Sequence, residues 1–400
     1  MAVLFGGRSV EHEISIISAL QLIKALDVVA YRPLPVYVAP DGRWYCGEAL
    51  ESKDFYKKMP ASLESVAEVT LLPVPKLGGL TILRPLERQS GASARSITDI
   101  IPVDIFFVAF HGTYGEDGCV QGLLEMAEVA YTGCGVLASA LGMSKYHCKK
   151  LVESHGIPVL PAAVVTREQL QANLGANLEA VRSDILCRPE LSSFPLFVKP
   201  ANLGSSIGVA KVSDAAELDA ALVQALKFDC QAMIEPCLDN KLEINVSVLD
   251  DVQPHASVVE IPVSSSGDEL TYEDKYLRGG GSKKTGNFSL GMAGLTRIID
   301  PADLDATIKE KAKDFAVRSF MALGCSGVAR IDFMLDLGTG ALYFNEINTL
   351  PGSLSFYLWM NSKPPVFYTD MLTRIIERAE LRQLEKISLS REIGFKALFK

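Results

Sequence analysis

The segment 328–348 reads VARIDFMLDLGTGALYFNEIN. Apolar residues dominate 328–335 and 342–347, which predicts two β-strands. The glycine-containing LGTG at 337–340 lies between them and predicts the turn of an antiparallel hairpin. The polar residues inside this hairpin are therefore the first candidates for a functional site.

Four polar side chains of the hairpin are expected to converge. Strand side chains alternate between faces, so Arg330 and Asp332 share one face, and Glu346 and Asn348 share a face of the partner strand. If Asp332 opposes Glu346, then Arg330 opposes Asn348. Two carboxylates and a carboxamide on one buried face need a cation, and oxygen ligands of this kind suit Mg²⁺.

Size and composition limit the classes of protein. The chain has 400 residues, enough for two or three domains, and a net charge of -9, which argues against a nucleic-acid-binding face. None of its eight cysteines forms a C-x-x-C pair, and no apolar run is long enough to cross a bilayer. We therefore expect a cytoplasmic protein with neither nucleic acid nor membrane as a partner.

The first third of the chain alternates strand and helix, as in an open α/β sheet. An apolar strand is predicted at 103–110, and His111 follows it at the end of a parallel strand where such sheets bind ligands. Residues 41–100 are less regular, and we interpret them as an excursion from this domain. Glu11 follows the first glycine turn, at the start of a helix predicted over 14–26.

A phosphate-binding element is expected in the middle of the chain. Lys199 ends a predicted strand, and the loop Gly204-Ser205-Ser206 follows it, so a cation and backbone N–H groups could both reach phosphate oxygens. The chain has no Gly-Lys dipeptide, which excludes a Walker-type phosphate loop. Residues 133–138 match the dinucleotide fingerprint, but the required acidic residue would be Glu153, inside a predicted helix.

Taken in order, several motifs resemble the D-alanine–D-alanine ligase family over nearly the whole chain. The motifs are FGGRSVEHE at 5–13, HG at 111–112, GEDG at 115–118, YTG at 131–133, MSK at 143–145, VKP at 198–200, GSS at 204–206, YEDKY at 272–276, GCSG at 324–327, RID at 330–332 and NEINTLPG at 345–352. Each motif is weak alone, whereas their joint order is highly specific.

The resemblance implies a fold of mixed class, an N-terminal open α/β domain followed by a two-lobed ATP-grasp fold. The implied domains are 1–140, which binds substrate, 141–228, the central lobe, and 229–400, the C-terminal lobe. The polar, glycine-rich stretch 264–294 is the implied mobile lid. The implied reaction joins two D-alanine molecules for peptidoglycan precursors, through an acyl phosphate, with release of ADP and phosphate.

The resemblance also implies roles for individual residues. The implied ATP-binding residues are Lys145, Lys199, Ser206, Glu235 and Glu243. The implied ligands of two Mg²⁺ or Mn²⁺ ions are Asp332, Glu346 and Asn348. The implied catalytic residues are Glu11, which would hold the first ammonium, Ser205 and Tyr276, which would orient the lid with it, and Arg330 and Gly352, which would stabilise an oxyanion. The implied substrate-binding residues are His111, Lys275, Tyr357 and Leu358.

One segment departs from the family pattern. After Pro351-Gly352, where a hydroxyl-rich segment is usual, the chain reads SLSFYLW at 353–359. At least one of Phe356, Tyr357 and Trp359 is therefore expected to line the second-substrate pocket.

Three alternative functions remain open. They are a related ATP-grasp ligase with a different second substrate, a non-catalytic binding protein and, as the weakest of the three, a nicotinamide enzyme. The expected partners are small amino acids, and a homodimer is a candidate assembly.

Overall fold

A computed structural model describes residues 1–85, 95–171, 174–204, 207–263 and 297–390. The predicted lid at 264–294, and with it Lys275 and Tyr276, lies outside the described residues, as do Ser205 and Ser206. The described strands form three sheets of eight, four and five strands. No helix among the described residues is long and apolar enough to cross a membrane.

The first sheet holds the N-terminal third of the chain. Its strands are β1 Ala2–Gly6, β2 Leu34–Val38, β3 Trp44–Cys46, β4 Ala67–Thr70, β5 Gly79–Pro85, β6 Arg95–Pro102, β7 Ile105–Val108 and β8 Ala130–Tyr131. Their order is β6-β5-β4-β3-β2-β1-β7-β8, in which β2, β1, β7 and β8 are parallel. Gly6 needs a positive φ of 89°, and a Cβ there would lie 2.4 Å from Val38 O, so only glycine fits this turn.

The excursion at 41–100 is more ordered than the sequence suggests. Strands β3 to β6 run antiparallel and extend the first sheet beyond β2. The expectation of an irregular segment is therefore wrong, because β3 and β4 have only three and four residues and carry too little alternation to be recognised. Each of them pairs with the strands next to it in the sequence, and such short strands are recognisable only once these pairings are seen.

The other two sheets are antiparallel. The second contains β9 Ala163–Thr166, β10 Leu196–Pro200, β11 Ala210–Val212 and β12 Gln231–Pro236, in the order β11-β10-β12-β9. The third contains β13 Lys241–Leu249, β14 His255–Pro262, β15 Arg297–Ile299, β16 Val328–Asp336 and β17 Leu342–Asn348, in the order β15-β14-β13-β16-β17. An open α/β sheet followed by two antiparallel lobes confirms the expected fold class.

Helices cover these sheets. They are α1 His12–Ala25, α2 Lys53–Lys57, α3 Cys119–Met126, α4 Val136–Met143, α5 Lys145–Ser154, α6 Arg167–Gln171, α7 Leu174–Leu186, α8 Ala215–Phe228, α9 Ala306–Ala322, α10 Phe356–Met360 and α11 Tyr368–Ile387. The predicted helix that contains Glu153 is α5, which begins at Lys145 because Ser144 has an extended ψ of 94° between α4 and α5.

The end of the chain returns to its beginning. Trp359, Leu372 and Ile376 belong to the same buried cluster as strands β1, β2 and β7. Thr369, near the start of α11, donates to Ala25 O of α1 at 2.7 Å. The domain limits predicted at 140 and 228 stay predictions, but the last helix packs with the first domain rather than with the third sheet alone.

Candidate active site

The hairpin of β16 and β17 has the predicted register. Arg330 lies opposite Asn348, and Asp332 lies opposite Glu346. A bulge follows directly after Asp332, between it and Phe333. The alternation of strand faces was therefore sufficient to place these four side chains together.

Arg330 and Asp332 form a two-pronged ion pair. Arg330 Nε donates to Asp332 Oδ1 and Arg330 Nη2 donates to Oδ2, both at 2.7 Å, and Asn348 Nδ2 also donates to Oδ2 at 3.0 Å. Burial alone would lower the pKa of Arg330, but Asp332 raises it well above its ordinary value. The guanidinium is therefore a permanent positive charge with a fixed orientation.

Lysines from α5 and β10 gather beside the hairpin. Lys145 and Lys149 lie one helical turn apart on α5, so they face the same side. Lys145 Nζ donates to Leu203 O at 2.6 Å and lies 3.4 Å from Glu346 Oε2. Lys149 was not predicted as a site residue, and it pairs with Glu235. Lys199 Nζ lies 2.6 Å from Oε2 of the same carboxylate. We call Lys145, Lys149, Lys199 and Glu235 the lysine cluster.

The charges of the lysine cluster are balanced through Glu235. This carboxylate is 2% exposed, and although burial favours its neutral form, the two ammonium groups lower its pKa to about 2. Burial lowers the pKa of Lys149 to about 8, and the positive charge of Lys199 acts in the same direction, while Glu235 opposes the shift. At neutral pH Glu235 is therefore an anion and Lys149 is mostly a cation.

A second group of acidic residues lies at the ends of β1 and β7. The Glu11 carboxylate packs closely against two glycines. A Cβ atom added at Gly112 would lie 2.4 Å from Glu11 Oε2, and one added at Gly204 would lie 3.3 Å from it. Glu116 Oε2 accepts a hydrogen bond from Gly112 N at 2.7 Å. His111 Nε2 lies 2.8 Å from Ser18 Oγ, and burial lowers the pKa of His111. We call Glu11, His111, Gly112 and Glu116 the carboxylate pocket.

One cavity joins the two groups. The space it encloses, counted out to its open mouth, is about 710 Å³. Its lining includes residues predicted to bind substrate, to bind ATP, to hold metal and to act in catalysis. They are Glu11, His111, Lys145, Arg330, Glu346, Asn348 and Gly352. Glu116, Gly204 and the loop 349–351 complete the wall on the amino-acid side.

Other predicted site residues lie away from this cavity lining. Glu235 is enclosed by its lysines, and Glu243 on β13 is one-third exposed, with Glu243 Oε1 3.9 Å from Lys241 Nζ. Tyr357 and Leu358 belong to α10 and are buried. Neither is among the residues that line the cavity, so the structure does not bring them to the predicted second-substrate position.

The aromatic block packs behind the site. Tyr357 donates to Glu260 Oε1 at 3.1 Å, and its ring lies under the Arg297 guanidinium, 3.9 Å from ring centre to Cζ. Trp359 Nε1 donates to Ser247 Oγ at 2.9 Å. Phe356 stacks on Tyr368 with ring centroids 4.5 Å apart. The expectation that one of these aromatics lines the cavity is not met, because 356–360 is helical and turns them into the core.

The donor set suits a hard cation in part. Asp332 and Glu346 lie in register on neighbouring strands with side chains 13% and 25% exposed, and Asn348 supplies a carboxamide oxygen beside them. Among the described residues there is no group of three or more His, Cys, Asp and Glu side chains suited to a metal. Two carboxylates still match Mg²⁺, which usually takes its remaining ligands from phosphate and water.

Comparison with known families and proteins gives one consistent result. Residues 1–134 match the family model described as the D-ala D-ala ligase N-terminus, and residues 151–377 match that of the D-ala D-ala ligase C-terminus. A D-alanine–D-alanine ligase A of Bradyrhizobium diazoefficiens is 38% identical over 98% of this chain and 97% of its own. A D-alanine–D-alanine ligase of Chlorobium chlorochromatii is 35% identical over 95% and 97%.

Solved structures show the same likeness. The D-alanine–D-alanine ligase of Coxiella burnetii has a TM-score of 0.73 at 27% identity, over 97% of this chain and 95% of its own. The VanG D-Ala:D-Ser ligase of Enterococcus faecalis has a TM-score of 0.73 at 28% identity, over 94% and 98%. The similarity therefore extends along the whole of both chains.

Proposed function

The chain belongs to the D-alanine–D-alanine ligase family, and from this premise we propose that it joins two D-alanine molecules at the expense of ATP, for peptidoglycan precursor synthesis. The observation that carries the proposal is the single cavity in which Glu11, Lys145, Arg330 and Glu346 meet. The ligation needs a carboxylate that binds the ammonium of the first amino acid, a cation beside the phosphates, a metal ligand and a cation beside the oxyanion, and these four residues are proposed to supply them.

The proposed reaction has two steps. A carboxylate oxygen of the first D-alanine attacks the γ-phosphorus of ATP, and ADP leaves with the electrons of the broken P–O bond. The amine of the second D-alanine then attacks the acyl phosphate, loses a proton, and expels inorganic phosphate. The first step is mainly positioning and charge neutralisation, and the second develops a negative oxyanion.

The chain's own residues are assigned to these needs as follows. Glu11 is proposed to hold the ammonium of the first D-alanine, with His111 beside its carboxylate. Lys145 and Lys199 are proposed to contact phosphate oxygens. Arg330 would face the oxyanion, because its charge is permanent and its plane is fixed by Asp332.

A metal is part of the proposal. Asp332, Glu346 and Asn348 would hold Mg²⁺ or Mn²⁺, which when bound neutralises phosphate charge. Lys145 Nζ lies 3.4 Å from Glu346 Oε2, so this carboxylate already has one positive charge beside it. The eight cysteines all lie in the described residues and none forms a disulfide bond, which suits the proposed cytoplasmic location. The homodimer stays a prediction that light scattering can check.

The direct test is product analysis with the purified chain. We expect ADP release and D-alanyl-D-alanine, identified by mass spectrometry, when D-alanine, ATP and Mg²⁺ are all present. L-alanine should give neither product. Equimolar D-alanine and D-serine should give mainly D-alanyl-D-alanine. ADP release without any dipeptide would overturn the proposal.

The metal role has its own test. Glu346→Gln should lower Mg²⁺-dependent ADP formation by about a hundredfold or more, because it removes a charged oxygen ligand. Asp336→Asn is the matched control, since Asp336 on β16 accepts a hydrogen bond from the backbone N–H of Gly338 in its own turn, 2.8 Å away. Equal activity of the two variants would exclude Glu346 as a ligand.

A further inference from the structure

Glu116 connects two loops that are far apart in the chain. Its Oε2 accepts a hydrogen bond from Gly112 N at 2.7 Å, and its Oε1 accepts one from Leu350 N at 3.0 Å. The second bond spans 234 residues of sequence. Both carboxyl oxygens are therefore used on backbone N–H groups, one in each loop.

Both loops contribute residues to the lining of the cavity. Gly112 has a φ of 76° and leaves no room for a Cβ, which would lie 2.3 Å from Ser9 Oγ and 2.4 Å from Glu11 Oε2. The position of Gly112 therefore sets the position of the Glu11 carboxylate. Leu350 is followed by Pro351 and Gly352, which line the same cavity, and Pro351 has no N–H of its own to anchor the loop.

Arg330 provides the third reference point. The hairpin residue opposite it, Asn348, lies two residues before Leu350. A movement of the 349–352 loop would change the distance between Gly352 and the Arg330 guanidinium without changing the hairpin itself. The bond from Leu350 N to Glu116 opposes such a movement on the side of the Glu11 loop, and the bond from Ser353 Oγ to Gln21 Oε1, 2.8 Å long, holds the end of the loop against α1.

We infer that Glu116 is a positioning residue, which holds the Gly352 loop at a fixed distance from the Glu11 loop so that the first substrate and the oxyanion donors stay in line. The inference rests on the proposed ligase function for its catalytic consequence. Its structural content, the tie between two loops, does not depend on that function. Glu116 contacts neither ATP nor substrate in this assignment and acts only through backbone N–H groups.

The adjacent Asp117 offers a matched control. It also accepts two backbone hydrogen bonds, from Tyr114 N at 2.8 Å and Cys119 N at 3.0 Å. Both donors lie within three residues of Asp117 in the sequence. Asp117 therefore stabilises its own turn and does not connect that turn to another loop. Glu116 and Asp117 thus have the same chemistry and differ in whether they bridge two loops.

The test compares Glu116→Gln, Glu116→Ala and Asp117→Asn by hydrogen exchange without substrate. Glutamine keeps one acceptor oxygen, whereas alanine keeps none. We expect the amides of Thr349, Leu350 and Gly352 to exchange about tenfold faster in Glu116→Gln, and faster still in Glu116→Ala. Asp117→Asn should leave that segment unchanged. Circular dichroism will identify a variant that fails to fold, in which case Glu116→Gln decides.

Kinetics give a readout that a purely structural residue would not move. With saturating ATP, Glu116→Gln should lower kcat about tenfold, while calorimetry gives an unchanged ATP affinity because the lysine cluster is untouched. Unchanged exchange at 349–352 in both Glu116 variants would overturn the inference even if the wild type is a ligase. Faster exchange in a wild-type chain that makes no dipeptide would instead leave the tie standing and reject the proposed function.

Discussion

Glu235 and Glu116 stand on two sides of the same site and ionise in opposite directions. Two ammonium groups surround Glu235 and, against the effect of burial, lower its pKa to about 2. Burial and the neighbouring charge of Glu11 raise the pKa of Glu116 to about 8, although two backbone N–H groups favour its ionised form. A glutamate side chain is therefore ionised throughout the neutral range at Glu235, whereas at Glu116 it ionises only near pH 8.

The difference in pKa shows which of the two regions has its charges balanced before a ligand binds. The lysine cluster lies on regular elements, α5, β10 and β12, and its charges already balance in part, so it keeps its shape before a nucleotide arrives. The carboxylate pocket lies on loops and holds two acids close together. An arriving ammonium would relieve that repulsion, which is a physical reason to expect the amino-acid side to become more ordered when substrate binds.

The largest expected effect is the loss of Glu235. Glu235→Ala would leave Lys149 and Lys199 as buried charges without their carboxylate, which typically costs about 3–5 kcal/mol of unfolding free energy. Glu243→Ala, on the neighbouring strand β13, should cost at most about 1 kcal/mol, because Glu243 is one-third exposed. Urea unfolding measures both. Similar losses for the two variants would remove the distinction between them.

The sequence predicted the hairpin site because alternation is a strong local rule. Once 328–335 and 342–347 were recognised as strands, the opposition of Arg330 to Asn348 followed from the faces alone. Lys149 could have been found in the same way, since it lies four residues after Lys145 on a predicted helix. Its importance was hidden because its partner, Glu235, is 86 residues away.

Local rules failed where distant contacts decide. The short strands at 41–100 are stabilised by pairing with each other, which no local pattern shows. The aromatic block at 356–359 was expected at the second-substrate pocket from its place after Pro351-Gly352, but it forms part of α10, in which Tyr357, Leu358 and Trp359 are all buried. The loop tie through Glu116 was equally invisible, because one of its two donors comes from residue 350.

An acid titration tests the lysine cluster. The pKa of Glu235 is lowered from 4.5 to about 2 in the fold, so its stabilising contribution is complete above pH 4.5 and is lost as pH falls towards 2. The contribution amounts to about 3 kcal/mol at neutral pH. The unfolding free energy of the wild type should fall more steeply across this window than that of Glu235→Gln. Parallel curves would contradict the assignment.

A titration towards alkaline pH tests the carboxylate pocket, and its sign is reversed. The folded pKa of Glu116 is raised, so its contribution is complete below pH 4.5 and is lost as pH rises through about 8. The wild type should therefore lose stability across that window relative to Glu116→Gln. A steeper fall in the variant would reverse the comparison.

The smallest expected effect lies behind the site, at Tyr357. Tyr357→Phe removes one hydrogen bond to Glu260 and leaves the ring under Arg297, and Glu260 keeps its bonds from Asn245 and Arg297. The loss should be about 1 kcal/mol of unfolding free energy. Because Tyr357 does not line the cavity, the preference for D-alanine over D-serine as second substrate should be unchanged. Tyr114→Phe, at a tyrosine that is 46% exposed, is the control for the loss of a hydroxyl. A tenfold change in the preference with Tyr357→Phe alone would show that the aromatic block reaches the substrate after all, and that the amino-acid side of the site extends further than the carboxylate pocket.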